Sequence, residues 1–284
     1  MAKTKAKLAE LLATTGKDAD RAAARVVARA VRGNKKAAAA KKAAAPAKAA
    51  GPATLAIDVG GTGLKAAVLD AKGKMLTDRV RVDTPADPTP ELLIDALLEL
   101  VKPLPHYDRI SVGFPGVVRN GVIKTAPNLG TERFAGFDLA HSLAKALGRP
   151  CRVLNDADVQ GYAVISGHGL EMVATLGTGF GTALFHDGEL CPHLEIAHAP
   201  FRKDECYDDV LGNAGRKKAG NKKWNKRVRE AIDNLRTLVN FDHLYIGGGN
   251  SKKLKGDLPE DCSVVDNTAG ILGGIRLWDD RRHH

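Results

Sequence analysis

The segment IDVGGTGLK, residues Ile57–Lys65, decides the fold of this 284-residue chain. It begins at the end of an apolar run, Leu55–Val59, that predicts a strand, and it continues into a second strand-like run, Leu64–Asp70. Glycine takes positive φ without strain and lets backbone N–H groups approach a ligand closely. A strand, a glycine-rich loop and a returning strand therefore predict a cradle for an anion such as a phosphate group.

A second glycine-rich loop, LGTGFGT at Leu176–Thr182, also lies between two strand-like runs. Between the two loops, the strand-like run Arg152–Leu154 delivers an amide and a carboxylate, Asn155 and Asp156, to a strand end. Two anion cradles can hold a chain of phosphates from both sides, and a carboxylate can activate an acceptor. The combination predicts a phosphotransferase, although either loop alone is as compatible with a tight turn.

Two common nucleotide-binding signatures do not account for these loops. A P-loop requires G-x-x-x-x-G-K-[ST], and no Gly-Lys pair in this chain is followed by Ser or Thr. The dinucleotide fingerprint G-x-G-x-x-G also fails, because Gly177–Gly181 reads GTGFG and continues into a strand-like run. The sequence therefore argues against a P-loop NTPase and a dinucleotide-binding enzyme.

Strand-like runs alternate with runs whose apolar residues recur at helical spacing. A third strand is predicted at Met75–Val82, and helices are predicted at Pro90–Lys102, Asp138–Leu147, Trp224–Val239 and Thr268–Trp278. This alternation predicts an α/β architecture with ligand sites at the carboxyl ends of strands.

Six segments occur in the order found in ROK-type sugar kinases of the hexokinase/actin-like superfamily, and the chain resembles in particular the polyphosphate glucokinase branch. The matching segments are Asp58–Lys65, Gly113–Val118, Leu154–Asp158, Thr175–Gly181, Ile246–Gly249 and Asn267–Gly274. The resemblance covers residues 54–278 and implies a two-lobed actin-like ATPase (ribonuclease H-like) fold. Its first lobe would comprise residues 54–163 and 268–284, and its second lobe residues 164–267.

Residues 1–53 carry the whole net positive charge of the chain. They hold 13 Lys and Arg against 3 Asp and Glu, whereas the remaining residues have 30 of each. This stretch is rich in alanine and has few large apolar side chains to bury, so it is predicted to be a disordered or transiently helical basic tail. Such a tail can attract polyanions, nucleic acid included, or bind nothing.

The rest of the composition predicts a cytoplasmic protein. No apolar run reaches the length of a membrane span, and the N-terminal residues do not form a signal peptide. The four cysteines contain no C-x-x-C pair, which favours reduced thiols. Cys191, His193, His198 and Cys206 have a spacing that matches no standard zinc pattern, and no zinc is expected.

The resemblance implies that the two glycine loops bind the phosphates of the donor. Asp58 would hold Mg²⁺ through water, the alternative being a turn residue at a strand end. The implied phosphate-binding residues are Gly60, Gly61, Thr62, Gly63, Lys65, Gly177, Thr178 and Gly179, although Lys65 is equally compatible with an exposed strand lysine. The implied nucleotide-side residues are Gly247, Gly248 and Gly249.

Asp156 is the implied general base, a role worth about 10²–10⁴-fold in rate. Asn155 would hold a neighbouring sugar hydroxyl, whereas local sequence alone favours an Asx turn or a cap for a helix that begins at Ala157. The resemblance adds three sugar contacts, Asn128, Glu195 and His198. The last two lie in a segment where Ala197 replaces a glycine of the family.

A basic stretch surrounds Trp224. It comprises Lys217, Lys218, Lys222, Lys223, Lys226 and Arg227, with Arg216 and Arg229 beside them. It is compatible with a solvated helix face or with a groove for a long polyanion such as inorganic polyphosphate.

The sequence thus predicts a glucokinase that transfers a phosphoryl group from polyphosphate, ATP or both to the 6-hydroxyl of glucose. One alternative is an ATP-dependent kinase of another hexose. Another is a non-catalytic, sugar-responsive ROK protein that binds nucleic acid, although the tail lacks the apolar residues that a DNA-binding domain buries. The resemblance also implies a homodimer.

Overall fold

The computed structural model describes residues 51–265 and 272–279, which belong to one compact unit. The predicted basic tail up to residue 50 and the first part of the predicted helix Thr268–Trp278 lie outside the described residues. No helix within the described ranges is long and apolar enough to cross a membrane.

The first half of the described chain forms a five-stranded sheet with the order β3-β2-β1-β4-β7. Strands β1, β4 and β7 are parallel and occupy one side of the sheet, whereas β2 and β3 on the other side are antiparallel to their neighbours. In chain order the strands are β1 (Thr54–Val59), β2 (Leu64–Leu69), β3 (Val80–Val82), β4 (Arg109–Phe114), the hairpin strands β5 (Val118–Arg119) and β6 (Val122–Ile123), and β7 (Cys151–Asn155).

The second half repeats this arrangement, with the order β10-β9-β8-β13-β14. Again the three strands on one side of the sheet are parallel, and the two on the other side are antiparallel. The strands are β8 (Leu170–Leu176), β9 (Phe180–His186), β10 (Glu189–Leu190), the hairpin strands β11 (Pro200–Arg202) and β12 (Glu205–Cys206), β13 (His243–Gly247) and β14 (Cys262–Val264). The doubled sheet confirms the predicted two-lobed α/β fold; the lobe boundaries stay a prediction.

The predicted helices form where capping residues favour them. Thr89 accepts a hydrogen bond from the Leu92 N–H and Pro90 opens the first helix, while Asp138 caps another helix that ends at left-handed Gly148. The helices are α1 (Pro90–Val101), α2 (Thr131–Phe134), α3 (Leu139–Leu147), α4 (Asp156–Tyr162), α5 (Tyr207–Leu211), α6 (Asn213–Ala219) and α7 (Asn221–Val239). Within the described residues, three 3₁₀ turns lie at Ile196–His198, Ser251–Lys253 and Gly273–Trp278.

Two predicted elements differ from the structure. Of the strand predicted at Met75–Val82, only β3 forms, because Thr77 Oγ1 accepts a hydrogen bond from the Val68 N–H and so takes the place of a strand partner. The described end of the predicted last helix is a 3₁₀ turn. A Cβ on Gly273 would collide with the Val159 carbonyl oxygen, so this turn lies tightly against α4.

Helix α4 joins the two sheets. It begins at the end of β7 and its apolar side packs against β8 and β9, with Ala157, Val159 and Tyr162 in one buried cluster with Val173 and Phe185. Each sheet also has a larger apolar core of its own. The residues at the first turn of α4 therefore lie where the two halves of the fold meet.

Candidate active site

Asp58 and Asp156 come together because parallel strands end at the same edge of the first sheet. In the register of β1, β4 and β7, Asp58 lies opposite Gly113, and Gly113 lies opposite Leu154. Since Gly113 has no side chain, the first turn of α4 fits against it: a Cβ there would lie 3.3 Å from the Asp156 Cα. The two carboxylates are consequently close enough for the charge of Asp58 to act on Asp156.

The environment of Asp156 raises its pKa to about 7. Burial is the largest cause and the negative charge of Asp58 is the second, because both disfavour a further anion. The Ala157 N–H donates a hydrogen bond to Oδ1 at 2.9 Å and opposes the shift. A carboxyl group with this pKa is poised near neutral pH to accept a proton from a hydroxyl group.

Lys65 holds Asp58 in place. Its Nζ donates a hydrogen bond to Asp58 Oδ2 at 2.8 Å, and the Asp58 side chain keeps 18% of its surface exposed. The sequence placed Lys65 beside the phosphates, and the structure directs its ammonium group to Asp58 at the foot of the first glycine loop.

The carboxylates of this edge fit a hydrated magnesium ion. Mg²⁺ prefers oxygen ligands, keeps several waters and usually takes one or two carboxylates. The mutual repulsion of Asp58 and Asp156, visible in the raised pKa of Asp156, is what a bound cation would relieve. The Asp58 side chain keeps 18% of its surface exposed, so such an ion can reach it through water.

The first glycine loop is a tight, partly exposed turn. The Gly60 N–H donates to the Gly63 carbonyl oxygen at 3.1 Å, while Gly61 and Thr62 are exposed. From β3, the Arg81 guanidinium donates to the Thr62 carbonyl oxygen at 3.3 Å. The loop thus offers free backbone and hydroxyl donors beside a cation, as an anion cradle requires.

The second glycine loop is fixed from two sides. The Gly177 N–H donates to the Gly179 carbonyl oxygen at 2.9 Å, and Asp208 on α5 accepts a hydrogen bond from the Phe180 N–H at 2.6 Å. Further along, Gly181 lies against α4, where a Cβ would be 3.3 Å from that of Ala157. The end of the second loop therefore touches the residue that follows Asp156.

The Gly247–Gly249 segment borders the second loop, since β13 is parallel to β8 and ends beside it. Gly248 has φ +85°, and a side chain there would collide with the Leu176 backbone. The Asn250 side chain stabilises the contact between this segment and the second loop, because its Nδ2 donates a hydrogen bond to the Gly177 carbonyl oxygen at 2.9 Å. The predicted nucleotide-side residues and the second glycine loop are thus one structural unit.

Asn155 is buried and serves as the N-cap of α4. Its Oδ1 accepts hydrogen bonds from the Ala157 and Asp158 N–H groups, and its Nδ2 donates to the Gly116 carbonyl oxygen at 3.0 Å. Asn128 is exposed and lies beside Gly61 of the first loop, whose Cβ would be 3.5 Å from that of Asn128. Of these two predicted sugar contacts, Asn128 is the one open to a ligand.

Glu195 precedes the 3₁₀ turn Ile196–His198, and His198 is the last residue of that turn. The replacement of glycine by Ala197 fits this turn, because Ala197 is not among the residues with positive φ. Glu195 Oε2 is buried without a hydrogen-bond partner among the described residues, whereas His198 is exposed. This segment thus carries one carboxylate with a buried oxygen and one exposed imidazole.

The predicted basic stretch lies on α6 and α7, and its lysines are exposed. Lys218 pairs with Glu205 at 3.2 Å. Trp224 is fully buried and its indole N–H donates to the Leu211 carbonyl oxygen, so the aromatic ring belongs to the core beneath the stretch.

Residues that sequence reasoning did not assign also shape the site. Asp208 positions the second loop, Arg81 lies on the first, and buried Asp158 bonds His193 at 3.1 Å. No motif points to Asp208 or Arg81, because each meets its loop only through the tertiary fold. Within the described ranges, no three His, Cys, Asp or Glu side chains are grouped as metal ligands.

The fold and the site together define a class of protein. Its members have a doubled α/β sheet with glycine loops and a pair of carboxylates at strand ends. The chain belongs to the ROK family, whose family description matches residues 54–199.

Three similar proteins illustrate this membership. The polyphosphate glucokinase of Mycobacterium tuberculosis (strain CDC 1551 / Oshkosh) is 30% identical over 233 residues, covering 76% of this chain and 88% of that protein. The N-acetylmannosamine kinase of Escherichia coli (strain SE11) is 37% identical over 142 residues, 48% of each chain. The crystal structure of inorganic polyphosphate/ATP-glucomannokinase from Arthrobacter sp. strain KM has a TM-score of 0.72 at 29% identity and covers 80% of this chain and 98% of that chain.

Proposed function

We propose that this chain is a glucokinase that transfers a phosphoryl group from inorganic polyphosphate, ATP or both to the 6-hydroxyl of glucose. The observation that carries the proposal is Asp156, a carboxyl group with a pKa raised to about 7 at the point where the two halves of the fold meet. Family membership and the similar kinases support sugar phosphorylation as the reaction.

In the proposed reaction Asp156 takes the proton of the sugar hydroxyl as its oxygen attacks the terminal phosphorus. The bond between that phosphorus and the bridging oxygen of the donor breaks, and the shortened donor leaves with the bonding electrons. The N–H groups of the two glycine loops stabilise the charge on the transferred group. Mg²⁺ held by Asp58 would neutralise phosphate charge when bound.

Sugar recognition is assigned to Asn128, Glu195 and His198, with Asn155 in a supporting role. Asn128 adjoins the first glycine loop and Glu195 has a buried oxygen without a hydrogen-bond partner among the described residues. A site that leaves polar groups unpaired when the wrong sugar binds discriminates far better than apolar contact does.

The basic stretch of α6 and α7 is proposed to bind polyphosphate. Beyond the Gly247–Gly249 segment, Lys253 and Lys255 are tied to α7, since Asn225 donates to the Lys253 carbonyl oxygen and accepts from the Lys255 N–H. Exposed lysines thus continue from the second phosphate loop towards α7, which supports a track for a donor longer than ATP.

Two broader predictions accompany this function. All four cysteines are free thiols, which supports a reducing compartment such as the cytoplasm. A homodimer, implied by the family resemblance, would be tested by sedimentation of the purified chain.

The deciding experiment is a steady-state comparison of polyphosphate and ATP as donors with glucose, at low and high salt. We expect turnover with at least one donor, and a loss of about 10²-fold or more in kcat for Asp156→Asn. Full turnover by Asp156→Asn would remove the proposed base. A wild-type chain that phosphorylates no hexose with either donor would contradict the function itself.

A kinase of another hexose is the second candidate, and the similarity to an N-acetylmannosamine kinase over about half of the chain favours it. A panel of glucose, mannose, fructose and their amino sugars, compared by kcat/KM, separates the two. A higher value for an N-acetylated sugar than for glucose would replace the glucokinase assignment.

A further inference from the structure

His193 is a buried histidine that the proposed reaction does not use. Only 9% of its side chain is exposed, in the segment between β10 and the turn Ile196–His198. Its two ring nitrogens face carboxylates on opposite sides: Nδ1 lies 3.1 Å from Asp158 Oδ1, and Nε2 lies 3.9 Å from Glu195 Oε2. A buried ring held this way has a fixed orientation.

Asp158 is the anchor of this arrangement. It lies on α4 two residues after Asp156, and its side chain is 3% exposed. A buried carboxylate is an acceptor, so its contact with Nδ1 makes that nitrogen the donor and fixes the ring. Helix α4 also begins with the proposed base, Asp156. Asp158 therefore fixes the histidine to the same helix that carries the base.

Glu195 is the group that the ring faces. Its Oε2 is buried and has no hydrogen-bond partner among the described residues, and the charge pair with His193 is its ion-pair contact in this part of the chain. A buried carboxylate oxygen is costly unless a positive or donor group lies nearby. The imidazole supplies that group and leaves the rest of the carboxylate for a ligand.

We propose that His193 is a positioning residue of the sugar site. Asp158 on α4 holds the His193 ring, and the ring in turn holds the carboxylate of Glu195 in place. The inference rests on the proposed function, since it gives Glu195 a sugar hydroxyl as its partner. It adds to the reaction a residue that does not itself touch the reacting atoms.

The charge of His193 supports this role. Burial alone would lower its pKa, but the hydrogen bond with Asp158 and the charges of Asp158, Glu195 and Asp156 raise the pKa above its usual value. These three carboxylates are the charged groups that act on the ring from α4 and from its own segment. The imidazolium of His193 is therefore more favoured than that of a free histidine, and its loss as pH rises weakens the hold on Glu195.

Two variants test separately the contact of His193 with Asp158 and its contact with Glu195. His193→Asn keeps a donor near the Nδ1 position for Asp158, and His193→Gln keeps one near the Nε2 position for Glu195. We expect each to raise the KM for glucose about tenfold, with a smaller change in kcat and no change in the KM for the donor. His186→Asn, an exposed histidine near Asp187, is the matched control and should leave all three parameters unchanged.

A double-mutant cycle tests whether His193 acts through Glu195. If it does, adding His193→Asn to Glu195→Gln raises the glucose KM no further than Glu195→Gln alone. Additive effects, or an equal rise in the donor KM, would overturn the proposal. Thermal unfolding midpoints of the folded variants exclude a general loss of structure.

A titration of the His193 imidazole by NMR on the full chain tests the link without any turnover. Glu195→Gln should lower the pKa of His193, because it removes a facing negative charge. An unchanged titration would overturn the coupling. A wild-type chain that shows this coupling but phosphorylates no hexose would instead contradict the proposed function, so the two failures are distinguishable.

Discussion

Asp156 illustrates how the fold changes the chemistry of one side chain. An exposed aspartate is ionised at all physiological pH values and is a weak base. Here burial and the neighbouring charge of Asp58 raise the pKa to about 7, so the carboxylate gains basicity but must first lose its own proton. Activity that depends on this base acquires a pH dependence near neutrality.

That dependence is testable in the wild-type enzyme. As pH rises through the pKa of Asp156, the ionised fraction of the base increases, so kcat/KM for glucose should rise and level off by about pH 8, or at a lower pH where a cation at Asp58 lowers that pKa. The measurement is a kcat/KM profile from about pH 5 to pH 9 with saturating donor. A profile that is already flat above about pH 5 would mean that the base has an ordinary carboxyl pKa.

Asn155 and Asp156 also mark what the sequence can predict at this scale. Local sequence favours a cap for a helix that begins at Ala157, whereas in the structure the helix begins at Asp156 and Asn155 caps it. The role of Asp156 as a base was implied by the resemblance, while its raised pKa depends on a strand register in which Gly113, without a side chain, leaves room for it beside Asp58. No local pattern reports burial or the distance between two residues on different strands.

At the scale of elements, helix α5 holds the second glycine loop in place through Asp208. Asp208→Ala removes the acceptor for the Phe180 N–H, a hydrogen bond to a charged group, so the loop should lose order and the KM for the donor should rise about tenfold. Asp209→Ala is the matched control, because the neighbouring carboxylate bonds Cys206 and not the loop. Equal donor KM values for the two variants would show that Asp208 does not position the loop.

The contact between the Gly248 turn and the second loop gives another test. Gly248→Ala adds a Cβ where the Leu176 backbone lies, at a residue with φ +85°. We expect weaker donor binding and a lower unfolding midpoint. Gly148→Ala has a similar backbone strain of about 1–2 kcal/mol but open space around the Cβ, so it should lower the midpoint alone. Normal donor binding by Gly248→Ala would show that this turn does not influence the proposed phosphate site.

The elements themselves were predictable where capping and apolar spacing agree. Helices α1 and α3 begin and end within one residue of their predicted bounds, because Thr89, Asp138 and Gly148 carry local signals. Helix α5 and the turn Ile196–His198 were not predicted, since both are too short for periodicity and form through tertiary contacts. The sequence likewise gave no reason to expect the 3₁₀ geometry of Gly273–Trp278, which close packing on α4 imposes.

At the scale of the whole molecule, charge is separated into distinct regions. Residues 1–53 hold the net positive charge, while the rest of the chain is balanced and yet concentrates lysines on α6 and α7. A balanced net charge therefore does not exclude a strongly basic surface. Attraction of a polyanion by this surface should depend on salt and not on the tail.

Charge reversal on that surface tests this directly. Lys217, Lys222 and Lys226 are exposed, so Lys217→Glu, Lys222→Glu and Lys226→Glu combined should raise the KM for long polyphosphate steeply and leave the KM for ATP unchanged. The same reversal at exposed Lys72, Lys74 and Lys124 is the control for net charge. Because counterion release scales with the phosphates neutralised, the salt dependence of the polyphosphate KM should also become shallower in the first variant. Equal effects of both triple variants would mean that polyphosphate responds to overall charge, and that no track on α6 and α7 guides it to the glycine loops.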